Sequence, residues 1–257
     1  MQFGICTSWT NAAAVRAAGW DYVEDTVQSL LQPAVADEQW ETPSPELPVP
    51  AVNVLVPAAL KIVGPEVDTE RLRQHMQTVI TRAAKVGVNT VVFGSGGARK
   101  IPDGFDRERA SNQILDFARM SAGIAVEHQI TIVLEPLNQG ETNIVNTVAE
   151  AMRYVKAVDH PAFQCLVDSY HFWLEDEPLE NLRRAMPFIK HVHLADKEGR
   201  VAPGLSGKAD YRPFFRVLQQ GNYAGNISFE GAAIPDFAGT ALKVLEFIKQ
   251  QWEQARH

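Results

Sequence analysis

The 257 residues are 46% hydrophobic and 21% charged, ordinary for a soluble globular enzyme and sufficient for one sizeable core. The net charge of −7, with basic residues dispersed along the chain, excludes the basic face that a nucleic-acid backbone requires. Two distant cysteines, Cys6 and Cys165, exclude a disulfide framework and read as buried, reduced thiols.

The chain opens Met1-Gln2-Phe3-Gly4-Ile5-Cys6, with no basic n-region and no long apolar run. No signal peptide or membrane span is predicted, and a cytoplasmic protein is the expectation. Short β-branched runs then recur, each followed by a helical stretch. Strands are predicted at 3–7, 21–25, 51–56, 89–94, 130–135, 164–168, 189–194 and 226–230. The stretch 27–50 carries Pro33, Pro43, Pro45, Pro48 and Pro50, which exclude a long helix. It is read as a short helix and an irregular connection, either a lid over a barrel mouth or a surface loop. Helices are predicted over 68–86, where Leu72, Met76, Val79, Ile80 and Ala83 share a face, over 107–127, from Thr147 to Val158, and over 237–254. Eight strands alternating with helices predict an α/β fold, a (β/α)₈ TIM barrel occupying 1–257 as one domain.

Alternate residues of a barrel strand face the axis and the helix layer. In the last four strands Ile132, Leu134, Cys165, Val167, Val192, Leu194, Ile227 and Phe229 are apolar and predicted to face the helices. The opposite parity carries Glu135, Asp168, His191, His193 and Glu230, with Thr131, Gln164, Asn226 and Ser228 below them. Glu135, Asp168, His193 and Glu230 all fall at C-terminal strand ends, where barrels place their reactive groups. Alone, each has an ordinary use: a capping or ion-paired carboxylate, a hydrogen-bonded core histidine. Together they converge three carboxylates whose mutual repulsion a divalent cation removes. An oxygen-rich set with one imidazole suits Mn²⁺, Mg²⁺, Co²⁺ or Zn²⁺, with Mn²⁺ favoured.

On these residues the chain resembles the sugar phosphate isomerase/epimerase family, the xylose isomerase-like barrels. Leu134-Glu135-Pro136-Leu137-Asn138-Gln139-Gly140-Glu141 is similar to the family's fifth-strand motif, and Asp168-Ser169-Tyr170-His171 to its sixth. His191-Val192-His193-Leu194-Ala195-Asp196 resembles the seventh and Ile227-Ser228-Phe229-Glu230-Gly231 the eighth. The resemblance implies a metal bound by Glu135, Asp168, His193 and Glu230, proton shuttling by Glu135 and Glu230, and substrate contacts from Glu141 and His171. Arg200, in Arg200-Val201-Ala202-Pro203-Gly204, is implied as a further substrate ligand, with Lys197 its competitor because the spacing from His193 is about a residue longer than in the ketose epimerases.

The implied activity is isomerisation or epimerisation of a ketose or keto-polyol through a metal-stabilised ene-diolate, with phosphorylation of the substrate left open. The alternative is a lyase or dehydratase acting on a keto-sugar or inosose at the same site. A trinuclear zinc nuclease needs more histidines than this chain places near strand ends, and a non-catalytic sugar-binding barrel has no need of paired inward glutamates. The resemblance also implies a homodimer or homotetramer. Three smaller readings complete the set. His191 is support for His193 or a core histidine; Trp9, Phe172 and Trp173 are core or sugar-stacking walls; the glycine-rich Gly94–Arg99 is a loop rim or a weak phosphate cradle.

Overall fold

The β-branched runs pair in parallel, in chain order, until the last meets the first. The computed structural model describes residues 1–256, and in it β1 (Gln2–Cys6), β2 (Tyr22–Thr26), β3 (Ala51–Asn53), β4 (Thr90–Phe93), β5 (Thr131–Leu134), β6 (Phe163–Asp168), β7 (Ile189–Leu194) and β8 (Asn226–Phe229) form a closed barrel. Closure pairs Gly4 with Ser228, while Asp168 lies beside His193 and His193 beside Ser228, bringing the ends of β6, β7 and β8 level.

Around the barrel run α1 (Ala12–Ala17), α2 (Thr69–Lys85), α3 (Gly96–Arg99), α4 (Arg107–Val126), α5 (Val148–Val158), α6 (Ser169–Leu174), α7 (Leu179–Ala185), α8 (Arg212–Gln220) and α9 (Phe237–Gln254). Helices α2, α4 and α5 start where side chains accept from their free N–H groups: Asp68 from Arg71, Asp106 from Arg109 and Thr147 from Glu150. The parity expectation holds. Ile132, Leu134, Cys165, Val167, Val192, Leu194, Ile227 and Phe229 all pack in the core between barrel and helices. Val92, Val133 and Leu166 form a separate apolar cluster inside the barrel, a floor beneath the polar mouth. Phe172 and Trp173 belong to the core as well, edge-on to Phe214 rather than walls for a sugar.

One strand departs from the sequence expectation: β3 stops at Asn53, because Val54 adopts φ 53°, a left-handed conformation that is strained for a β-branched residue. Between β2 and β3 the short helix expected there is a single helical turn, Val27–Leu31, ended by Gln32 at φ 47°. The proline-rich chain that follows is not a lid. Arg82, 1% exposed near the end of α2, donates to the carbonyls of Leu31, Gln32 and Val35 and to Asp37, and Trp40 stacks on its guanidinium. The strap is thus fastened to the flank of α2. Losing Arg82 strips the carbonyls of Leu31 and Val35 of this donor and leaves Gln32 only its bond from Val35 N, so Arg82→Met should cost roughly 2–4 kcal/mol in denaturant unfolding. The kcat of the surviving native enzyme should stay unchanged, whereas a lid would have altered it.

Candidate metal and substrate site

The inward side chains at the ends of β5 to β8 converge as the spacing predicts. One ligand atom each of Glu135, Asp168, His193 and Glu230 lies within 4.8 Å of all the others. His193 presents Nδ1 to Glu135 Oε1 at 3.2 Å and to Glu230 Oε2 at 3.6 Å. Asp168 caps a helix with one oxygen and turns the other to the cluster. Its Oδ1 accepts from Tyr170 N at 2.7 Å and starts α6, while its Oδ2 is buried with no hydrogen-bond partner and faces the cluster.

A buried carboxylate oxygen without a donor needs a cation or a proton. Burial, then the charges of Glu135 and Glu230, push Asp168 up to about 8, and burial with Glu230 also raises Glu135. Burial works upward on Glu230 too, but His193 and the Arg200 guanidinium outweigh it and hold it at about 2. Three carboxylates and one imidazole, with an orphaned oxygen among them, fit a hard or borderline divalent ion.

Arg200, not Lys197, reaches this centre. Its Nη2 lies 2.7 Å from Glu230 Oε2 and 3.8 Å from Asp168 Oδ2, its Nη1 lies 3.2 Å from Glu141 Oε1, and its guanidinium sits over the Tyr170 ring. The reach depends on a turn in which Arg200 itself has φ 51°. Lys197 points outward to Asp176 at 2.8 Å. Asp196 does not pair with it but accepts from Gly204 N, Ser206 N and Tyr211 Oη, holding the loop that carries Arg200.

His171 is 2% exposed, and burial together with the Arg200 charge takes it down to about 3, so it is neutral. Its Nδ1 accepts from the Asn138 backbone N at 3.1 Å, which leaves Nε2 as the donor facing the mouth. Above the cluster opens a cavity of about 240 Å³ bounded by Val54, Ala58, Gly97, Leu137, Glu141 and Arg200.

The Gly94–Arg99 corner serves the wall of this cavity. Arg99 is fully buried and donates to the carbonyls of Phe93, Glu135 and Val145, so it anchors strand ends and is not turned toward a phosphate. A side chain at Gly94 would collide with Glu135 Oε2.

Residues 12–251 match the family described as the xylose isomerase-like TIM barrel. The chain belongs to that family. Within it, a 3-dehydro-D-guloside 4-epimerase of Escherichia coli (strain K12) is 33% identical over 180 residues, 66% of this chain and 67% of that protein. An L-ribulose 3-epimerase of Methylomonas sp. (strain DH-1) is 30% identical over 172 residues, 60% of this chain and 59% of the relative. Among solved structures, the apo form of 3-keto-D-glucoside 4-epimerase, YcjR, from E. coli superposes with a TM-score of 0.81 at 23% identity, covering 97% of this chain and 99% of that one. The fold is therefore that of sugar epimerases and isomerases. A further member of this fold, IOLI, superposes at 0.72 and 18% identity over 99% of this chain and 98% of that one, and its crystal structure contains a zinc atom.

Two residues of this family member escaped the sequence reading. Asn53, at the end of β3, donates from its amide to Glu230 Oε1 at 3.0 Å. Glu24, on β2 and wholly buried, accepts from His193 Nε2 at 2.9 Å and from His191 Nε2 at 2.7 Å. Glu24 shares the inward parity of β2 with Tyr22, but Asp25 on the other parity is charged as well, so alternation alone does not mark it.

Two outcomes follow from this geometry. Asp168, raised in the fold above its unfolded value, contributes stability that is full below the unfolded pKa and is lost as pH rises toward about 8. The melting temperature of the metal-free protein should therefore fall between about pH 5 and about pH 8, and saturating Mn²⁺ should abolish that slope. Gly94→Ala should displace the Glu135 carboxylate and weaken metal binding about tenfold or more by titration calorimetry, with the barrel still folded by circular dichroism.

Proposed function

We propose that this chain is a divalent-metal-dependent epimerase or isomerase of a ketose or keto-sugar. The observation that carries the reading is the pairing of Glu135 and Glu230, carboxylates from β5 and β8 that meet at one imidazole while differing in their hydrogen bonding. Glu230 receives Asn53 and Arg200, which favour its ionised form; the Glu135 carboxylate has only the His193 ring edge beside it. Such asymmetry suits one group to take a proton and the other to return it on the opposite face.

The divalent ion, held by Glu135, Asp168, His193 and Glu230, supplies when bound the positive charge that offsets the deprotonated substrate. Glu230, as the ionised partner, removes the proton beside the carbonyl, and Glu135 delivers one to the planar carbon. His171 donates through Nε2 to a sugar oxygen, and Glu141 accepts from a hydroxyl. Arg200 closes the cavity rim and shields the reacting carbon from water. At about 240 Å³ the cavity falls below the range of about 300–1,000 Å³ typical of drug-sized ligands, which favours one monosaccharide unit. Its one cationic lining residue among those described, Arg200, is already paired with Glu230 and Glu141, which favours an uncharged sugar over a phosphorylated one. The relatives that act on 3-dehydro-D-guloside and L-ribulose support the same substrate class.

The deciding experiment incubates the Mn²⁺-loaded protein in D₂O with ketoses, inososes, hydroxypyruvate and 3-keto-hexosides, followed by NMR. Deuterium should enter a recovered epimer or isomer, and Glu135→Gln and Glu230→Gln should each lower kcat about 10²- to 10⁴-fold. An unsaturated or cleaved product would instead make the same centre a lyase.

A further inference from the structure

We propose that Glu24 is the positioning residue of the metal centre: it fixes the hydrogen of His193 on Nε2, so that Nδ1 meets the cation as a lone pair. The proposal rests on the metal-binding part of the reading above and is independent of the substrate.

The argument begins with what a carboxylate can do. An ionised Glu24 only accepts hydrogen bonds, whereas a neutral imidazole carries a single N–H. His193 Nε2 lies 2.9 Å from Glu24 Oε1, so the neutral ring must carry its hydrogen there. Its Nδ1 then faces Glu135 and Glu230 with a free electron pair. Without Glu24, the hydrogen would be drawn to Nδ1, where Glu135 Oε1 is an acceptor 3.2 Å away, and that tautomer cannot ligate.

The second oxygen of Glu24 is equally committed. Oε2 accepts from His191 Nε2 at 2.7 Å and from Ser228 Oγ at 2.5 Å, and Tyr22 Oη lies 2.7 Å from the same Ser228. Glu24, His191, His193 and Ser228 are each 1% exposed or less. The carboxylate is thus clamped from β7 and β8, with Tyr22 of β2 bracing Ser228, and is held away from the cluster. His191, which the sequence left between support and core, is one jaw of that clamp.

A rival use of the same atoms exists. Cys6, Glu24 and His193 also offer three ligand atoms within 4.8 Å of one another, on the far side of the imidazole. A cation there would need Nε2 stripped of its hydrogen and the Cys6 thiol ionised. The two oxygens of Glu24 already take donors from His193, His191 and Ser228, which favours the hydrogen bond over a second ion.

The test compares wild type with Glu24→Gln, which keeps the volume, and Glu24→Asp, which keeps the charge. Affinity for Zn²⁺ and Mn²⁺ is measured by competition with a chelator in the absence of substrate. Imidazole ¹⁵N spectra of the Zn²⁺-loaded proteins report which ring nitrogen carries hydrogen. Wild type should bind one ion, with Nε2 of His193 protonated and its proton slow to exchange. Glu24→Gln should bind about 10- to 100-fold more weakly and lose that protected proton, and Glu24→Asp should recover part of both. A merely structural Glu24 would lower the melting temperature and leave affinity and spectra alone, overturning the proposal. Two ions per chain, one of them lost in Cys6→Ser, would overturn it in favour of the rival site. A wild type that binds no divalent ion would remove the metal centre and this inference together, whereas a failed epimerase assay would leave both standing.

Discussion

Like charges at close range govern the mouth of this barrel. At about 4 Å and an effective dielectric near 20, each carboxylate pair repels by about 4 kcal/mol, several times the roughly 1 kcal/mol net of an ordinary hydrogen bond. Asn53 alone therefore cannot hold Glu230 against Glu135 and Asp168. The molecule meets the repulsion with an imidazole between the carboxylates, a guanidinium folded onto them from the β7–α8 loop, and a geometry open to a cation. That Asp168 retains an unpartnered oxygen after capping α6 marks where positive charge is still missing.

Below that level the interior is closed and hydrogen-bonded; above it the cavity is made of loops. The Tyr22–Ser228–Glu24–His191 network and the Val92, Val133 and Leu166 floor are strand residues locked by register. Arg99 carries the same rigidity to the β4 and β5 ends through backbone carbonyls alone. Val54 and Arg200, by contrast, reach the cavity through left-handed turns. The acidic cluster and the cavity above it are therefore built by different means, the first by sheet periodicity and the second by turn conformation.

That division explains what could be read from the sequence. Strands β5 to β8 are amphipathic at period two, and Glu135, Asp168, His193 and Glu230 stood out because apolar neighbours framed them. On β2 the pattern is blurred: Tyr22 and Glu24 face in, while the outward parity holds Val23 but also Asp25, which the backbone of Trp9 and Thr26 satisfies. No apolar frame isolates Glu24. Asn53 ends a strand of three residues, too short for any period to register. Arg200 was placed only as a resemblance, since its approach depends on a turn and on Asp196 gathering Gly204 and Ser206. The fastening of the 27–50 segment was equally hidden, because Arg82 sits on α2 and its partners are main-chain oxygens.

The wall built by Gly94, Gly96 and Gly97 has a consequence for how this protein can change. A side-chain carbon at Gly96 would stand 3.0 Å from Leu137, and one at Gly97 would stand 2.8 Å from Ala58. Space on that side is made of side chains that are missing, and nothing is smaller than glycine. A single methyl group suffices to narrow the cavity, whereas no substitution at these positions can widen it. Descent from this sequence toward a shorter ligand is thus a one-step path, while a longer one must be accommodated away from the glycines, by Val54 or the loop that bears Arg200.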